Sequence, residues 1–274
     1  MKRQFVLSCV LLLIAIPAHG APAYVQSGYD EAVPVTTLNV DFSIPGPAAD
    51  VTAGNLIVVT VRTDNTHGPV ASVTSQPGNQ TGILAKRQQS GTSFWLEVWY
   101  IQNATGGATT VTVTVSGTAD AIRVVLDEYS GVALSSPVDG TPVSGTATSA
   151  TANAGDITTT VANALIHIAA ACDGNDDFGT NATPPTGYSD HYLGPDPGAG
   201  SDKTATASGV EATAGTYPTT MANANDTWAA VAVAFAPAGD GGGSGSRPSV
   251  SSRPGVSARP VAPSRPAAGS RPAL

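Results

Sequence analysis

The chain has 274 residues, with 12 Lys plus Arg against 20 Asp plus Glu, and only 12% of it is charged. With 30 Gly, 21 Pro and 5% aromatics beside 41% hydrophobic residues, it is not composed like a coiled coil, a DNA-binding domain or a large helical enzyme. Gly and Pro between Val/Thr-rich runs predict an all-β sandwich or barrel, in one large domain or two small ones.

The start reads as a secretory signal peptide over residues 1–20. Lys2 and Arg3 are followed by an apolar run from Phe5 to Ile16, then by Pro17-Ala18-His19-Gly20-Ala21. Small residues at 18 and 20 suit a cut before Ala21, with a cut after Ala23 as the alternative. The apolar run is too short to span a bilayer comfortably, with a membrane anchor as the other reading. The expectation is a secreted, extracellular or cell-surface protein with no transmembrane segment in the mature chain. Removing the signal also removes Cys9 and leaves Cys172, so no internal disulfide can form. Cys172 ends an apolar run and reads as a small buried hydrophobe.

Strand-like segments follow. Asn55 to Val61 is nearly continuous apolar, the pattern of a strand covered on both faces. Phe94 to Ile101 is aromatic and β-branched. Thr110 to Ser116 alternates hydroxyls with Val111, Val113 and Val115, a strand with one buried face. Ile122 to Tyr129, Ala164 to Ala171 and Trp228 to Phe235 are the other clear ones, and no amphipathic helix is evident. Between Tyr24 and Pro237 lie five basic and nineteen acidic residues, a net of −14. That domain should repel nucleic acid and anionic membranes.

From 238 to 274 the composition changes. A Gly/Ser stretch leads into Arg-Pro pairs at Arg247, Arg253, Arg259, Arg265 and Arg271, one every six residues. Pro, Ser and Arg cannot build a core, so the segment predicts a disordered or polyproline II tail. With three residues per polyproline turn, the guanidinium groups fall on one side as a cationic stripe. The stripe suits a cell-envelope polyanion, and a plain linker is the other reading.

The strands of the acidic domain recur. Asn55-Leu56-Ile57 is echoed by Asn163-Ala164-Leu165, and Ala104-Thr105-Gly106-Gly107 by Ala212-Thr213-Ala214-Gly215, both 108 residues apart. This predicts pseudo-repeats over about 24–131 and 138–237 within a domain at 24–237. They could pack as one antiparallel jelly-roll-like β-sandwich or stand as two tandem sandwiches. Leu96-Glu97-Val98-Trp99-Tyr100-Ile101, Thr110 to Gly117, Tyr129-Ser130-Gly131-Val132 and Thr227 to Phe235 resemble a widespread group of bacterial secreted β-sandwich domains. The resemblance implies an accessory, binding or surface role and supplies no catalytic residues.

Candidate sites are few. Trp95, Glu97 and Trp99 share one strand face by period two. If that face meets solvent, the indoles could stack on sugar rings; if it meets the core, they are packing. Asp173, Asn175 and Asp177 alternate oxygen ligands as calcium loops do, but the loop lacks the rest of an EF-hand, and an acidic turn is the other reading. Thr110, Thr112, Thr114 and Ser116 form a hydroxyl row that could match an ordered surface or polymer. His67, His167 and His191 accompany no hydrolase or metalloprotease motif. Asp127 and Glu128 point to opposite strand faces and cannot act together. The expectation is a non-enzymatic module for extracellular polysaccharide or another surface ligand, with no cofactor unless calcium. Self-association into a surface layer and a polysaccharide hydrolase or lyase are the alternatives.

Overall fold

The computed structural model describes residues 20–42, 49–64, 68–119, 121–173, 182–193 and 202–239. The signal segment through residue 19 and the five tail arginines lie outside them. Among the described residues there is no helix, and the strands are antiparallel. In chain order they are β1 (Ala23–Ala32), β2 (Val35–Asp41), β3 (Leu56–Asp64), β4 (Val70–Gln76), β5 (Gln80–Thr81), β6 (Ile83–Ser90), β7 (Phe94–Ile101) and β8 (Thr110–Ala119). Next come β9 (Ile122–Ser130), β10 (Val138–Asn153), β11 (Ile157–Thr159), β12 (Ala164–Asp173), β13 (Ser189–Leu193), β14 (Asp202–Glu211), β15 (Gly215–Tyr217) and β16 (Thr220–Phe235).

The sheet orders expose a duplicated plan. One five-stranded sheet runs β1-β9-β3-β7-β6 and another runs β10-β16-β12-β14-β13. Position by position, the strands correspond. In the first half a four-stranded sheet, β2-β8-β4-β5, covers one side. With β1-β9-β3-β7 it makes the two Greek keys of a jelly roll. In the second half the matching layer is reduced. The ends of β10 and β16 pair there, Thr183 bridges Ala222, and β11 pairs with β15. The bridge between Val51 and Gly107 occupies the place of that last pair in the first half.

Three cores follow. Leu38, Val40, Val59, Val61, Val113 and Leu126 fill the first jelly roll. Ile157, Ile166, Ala170, Ala205, Met221 and Trp228 fill the second. A third core lies between the two five-stranded sheets, where Leu56, Val58, Leu96 and Tyr129 meet Leu165, Ala169, Val231 and Phe235. The two five-stranded sheets are therefore inner layers, each covered on both faces. This is why β3 and β12 read as unbroken apolar runs. Each fully buried Val or Leu there contributes about 1.5–3 kcal/mol.

Two glycines mark where the outer strand of each half crosses towards its second layer. A Cβ on Gly28 would collide with the Asp41 carbonyl, and one on Gly145 with the Asn153 carbonyl. Only glycine permits so close an approach. Cys172 is buried in the second core and forms no disulfide.

Candidate functional site

Polar chemistry concentrates in two places: inside the interface between the halves, and on the outer face of β2-β8-β4-β5. The first follows from strand alternation. On β9, Ile122, Val124 and Leu126 face the first core, so Asp127 and Tyr129 face the second half. On β12, Ile166 and Ile168 face the second core, so His167 points back.

These groups meet without access to solvent. Ser27 donates to Asp127 Oδ1, and half-exposed Tyr24 donates to Ser27 Oγ at 2.8 Å. The His167 ring lies between the Tyr129 hydroxyl, 3.0 Å from Nδ1, and the Thr60 hydroxyl, 3.3 Å from Nε2. Asp127 Oδ2 is 3.9 Å from His167 Nδ1. At the rim, His191 stacks on Tyr24 at 3.9 Å and shares a 2.5 Å hydrogen bond with Ser208.

Burial controls the charges here. It raises the Asp127 carboxyl to about 7, against the opposing pull of the Ser27 and Thr206 hydroxyls. It lowers His167 to about 3, with His191 adding to the effect, and lowers His191 to about 4. Burial also raises the Tyr129 phenol well above its usual value. Between about pH 4 and 7 the network is therefore neutral, the favourable state for a dry interface. It is not a hydrolase triad. Ser27 bonds to the carboxyl and not to the imidazole, both ring nitrogens face other hydroxyls, and Ser27, Asp127 and His167 are buried. Its chemical effect is to hold the two inner sheets in register.

Other acids are committed in the same way. Glu128 accepts from the Thr52 amide at 2.9 Å and from Asn55 Nδ2 at 2.6 Å. Asp139 accepts from the Thr160 amide at 2.9 Å and from the Thr160 hydroxyl. Asp64 accepts from the Ala121 amide at 2.7 Å. Much of the acidic excess fastens loops to strands.

The aromatic strand face is a correction to the sugar-platform expectation. Trp95, Glu97 and Trp99 look into the first jelly roll, because β7 belongs to an inner sheet. Glu97 is 0% exposed and Trp99 9%. Glu97 accepts from the Val70 amide at 2.7 Å, Trp99 Nε1 at 2.8 Å and Arg87 at 2.9 Å. The Arg87 guanidinium sits 5.7 Å above the Trp95 ring. Glu97 and Trp99 form a buried ion-pair and packing cluster, and Trp95 beside them is half-buried with the Arg87 guanidinium over its ring.

Of the calcium-loop residues, Asn175 and Asp177 lie outside the described residues. Asp173 is half-exposed, 3.8 Å from the guanidinium of buried Arg62, a cation in the direction of the core. No group of three or more metal-ligating side chains occurs among the described residues.

The outer face of the four-stranded sheet is the second concentration. Leu38, Val40, Val73, Val111 and Val113 point inward, so the alternate residues point out. Cross-strand register arranges them in rows. Asp41, Thr110 and Gln76 make the first; Asn39, Thr112, Thr74 and Thr81 the second; Thr37, Thr114 and Ser72 the third. Thr112 donates to Asn39 Oδ1 at 2.8 Å. The hydroxyl row on β8 is visible in the sequence. Its neighbours on β2 and β4 alternate as well, in Thr37-Leu38-Asn39-Val40 and Ser72-Val73-Thr74, but nothing local tells that these three strands adjoin. The buried Asp127–His167 pair leaves no sequence signal at all.

No protein-family model, curated protein or solved structure matches this chain. No helix among the described residues is long and apolar enough to cross a membrane.

Proposed function

We propose that this protein is a secreted, non-catalytic binding module for extracellular polysaccharide. The observation that carries the reading is the outer face of β2-β8-β4-β5, a broad surface of hydroxyl and amide groups with one carboxylate. Such groups both donate and accept hydrogen bonds, as sugar hydroxyls do. Glu97, Asp127, Glu128, Asp139 and His167 are each held in structural hydrogen bonds. The resemblance to bacterial secreted β-sandwich domains points the same way, and the Arg-Pro stripe would tether the module to an anionic envelope. The charge division between an acidic domain and a basic tail favours self-assembly as a second reading.

The test is retention of the full-length protein on a panel of soluble and insoluble polysaccharides, with release of reducing ends followed in parallel. Retention without new reducing ends is expected. Reducing ends that accumulate with time would replace the binding module by a hydrolase, and no retention on any member would remove polysaccharide as the ligand. Truncation after Gly239 that abolishes a salt-sensitive increase in light-scattering mass would favour self-assembly.

A further inference from the structure

Resting on the polysaccharide reading, the inference concerns where and what the module binds. We propose that the outer face of β2-β8-β4-β5 docks onto the ordered surface of a neutral, extended-chain polysaccharide, and not onto a single soluble chain.

The geometry is that of a lattice. Neighbouring strands lie about 4.8 Å apart and outward residues repeat about every 6.8 Å along each strand. The repeat is locked because slipping one residue would expose Val40, Val73 and Val113, which are 0–1% exposed. The threonine side chains are β-branched and stiff, so little freedom is lost when they engage a partner. The bond from Thr112 to Asn39 ties β8 to β2 on this face.

The three rows of this face offer no aromatic ring. Each contact is one hydrogen bond exchanged against water, which is weak singly. Useful affinity then requires many contacts at once, which a packed array of parallel chains supplies and one flexible oligosaccharide does not. Charge selects among polymers. The domain carries a net of −14 from its sequence, while the face itself holds a single acid, Asp41. A polyanion meets long-range repulsion there and a neutral polymer does not. In the second half, built on the same strand order, the corresponding layer is reduced to the paired ends of β10 and β16 and the bridge from Thr183 to Ala222. The broad face is thus a property of the first half and not of the shared scaffold.

The experiment is depletion of full-length protein from solution by microcrystalline cellulose, α-chitin and insoluble xylan, with alginate beads and ice-affinity partitioning as contrasts. Two variants alter the face: Thr74→Glu with Thr112→Glu, and Thr74→Val with Thr112→Val. Thr216→Glu is the control. Wild type should be depleted by at least one neutral solid and not by ice, and any alginate retention through the arginine tail should be released by salt and left unchanged by the Val pair. The Glu pair should lower the bound fraction tenfold or more. The Val pair, which keeps shape and inner packing, should lower it severalfold, and the control should match wild type. Retention unaffected by either pair overturns this face while leaving polysaccharide binding intact. Depletion by none of the neutral solids overturns both. Alginate retention that the Val pair lowers, or uptake into ice, overturns the neutral-polysaccharide assignment.

Discussion

The two halves share a strand order yet fill it with different side chains. The first core is built of Val, Ile and Leu beneath a full four-stranded sheet. The second is largely alanine, with Ala152, Ala170, Ala205, Ala207, Ala230, Ala232 and Ala234 beneath a reduced layer. Alanine brings the layers close but buries little apolar area per residue. The second core therefore leans on a few large groups, chiefly Trp228 and Met221. The two halves share a backbone plan, and among the described residues only the first carries the broad outer face. The proposed binding surface belongs to the half whose core is built of Val, Ile and Leu.

Trp228→Ala is the strongest way to break this comparison. It should cost about 4 kcal/mol in urea unfolding, more than the roughly 3 kcal/mol expected for Leu126→Ala in the first core. Equal or reversed costs would mean that the alanine core does not depend on its indole.

The interface between the halves should respond to pH in both directions. The Asp127 pKa is raised, so its contribution is fully present below about pH 4 and is lost as pH rises through about 7. Asp127→Asn should therefore leave stability nearly unchanged near pH 4 and raise it by about 4 kcal/mol at pH 8. His167 behaves oppositely. Its depressed pKa gives a contribution present above about pH 6.5 and lost as pH falls towards 3. His167→Gln should flatten the acid side of the urea-midpoint profile. Wild-type stability independent of pH between 4 and 8 would contradict the neutral, dry network.

Smaller effects separate the buried aromatic face from the outer one. Glu97→Gln leaves Arg87 without its carboxylate and should lower stability by about 2 kcal/mol. A change under 0.5 kcal/mol would indicate that Arg87 is satisfied by water. Replacing Thr74 and Thr112 together by Val should shift stability by less than about 0.5 kcal/mol, read as the thermal midpoint, because both side chains are half-exposed on a strand that tolerates valine. A larger loss would mean that the hydroxyl face is structural.

The six clear runs were legible in the residues, and each became a strand: Phe94 to Ile101 is β7 and Ile122 to Tyr129 lies within β9. Less legible were β1, β2 and β10, whose mixed polar sequences take strand form only through pairing with β9, β8 and β16. The candidate surface was readable only in part, as the hydroxyl row of β8, since its sheet neighbours Asn39 and Thr74 lie 73 and 38 residues before Thr112.

Period-two and unbroken apolar patterns, together with the 108-residue offset between Asn55 and Asn163, determined by themselves that the chain is all-β and internally repeated. Only the tertiary structure decided which side of each strand meets which layer. An inner sheet is dry on both faces, so alternation along β7 or β9 carries no mark of inside and outside. Glu97 and Asp127 became buried because another sheet lies over each, and that depends on contacts between distant parts of the chain, which no local pattern encodes.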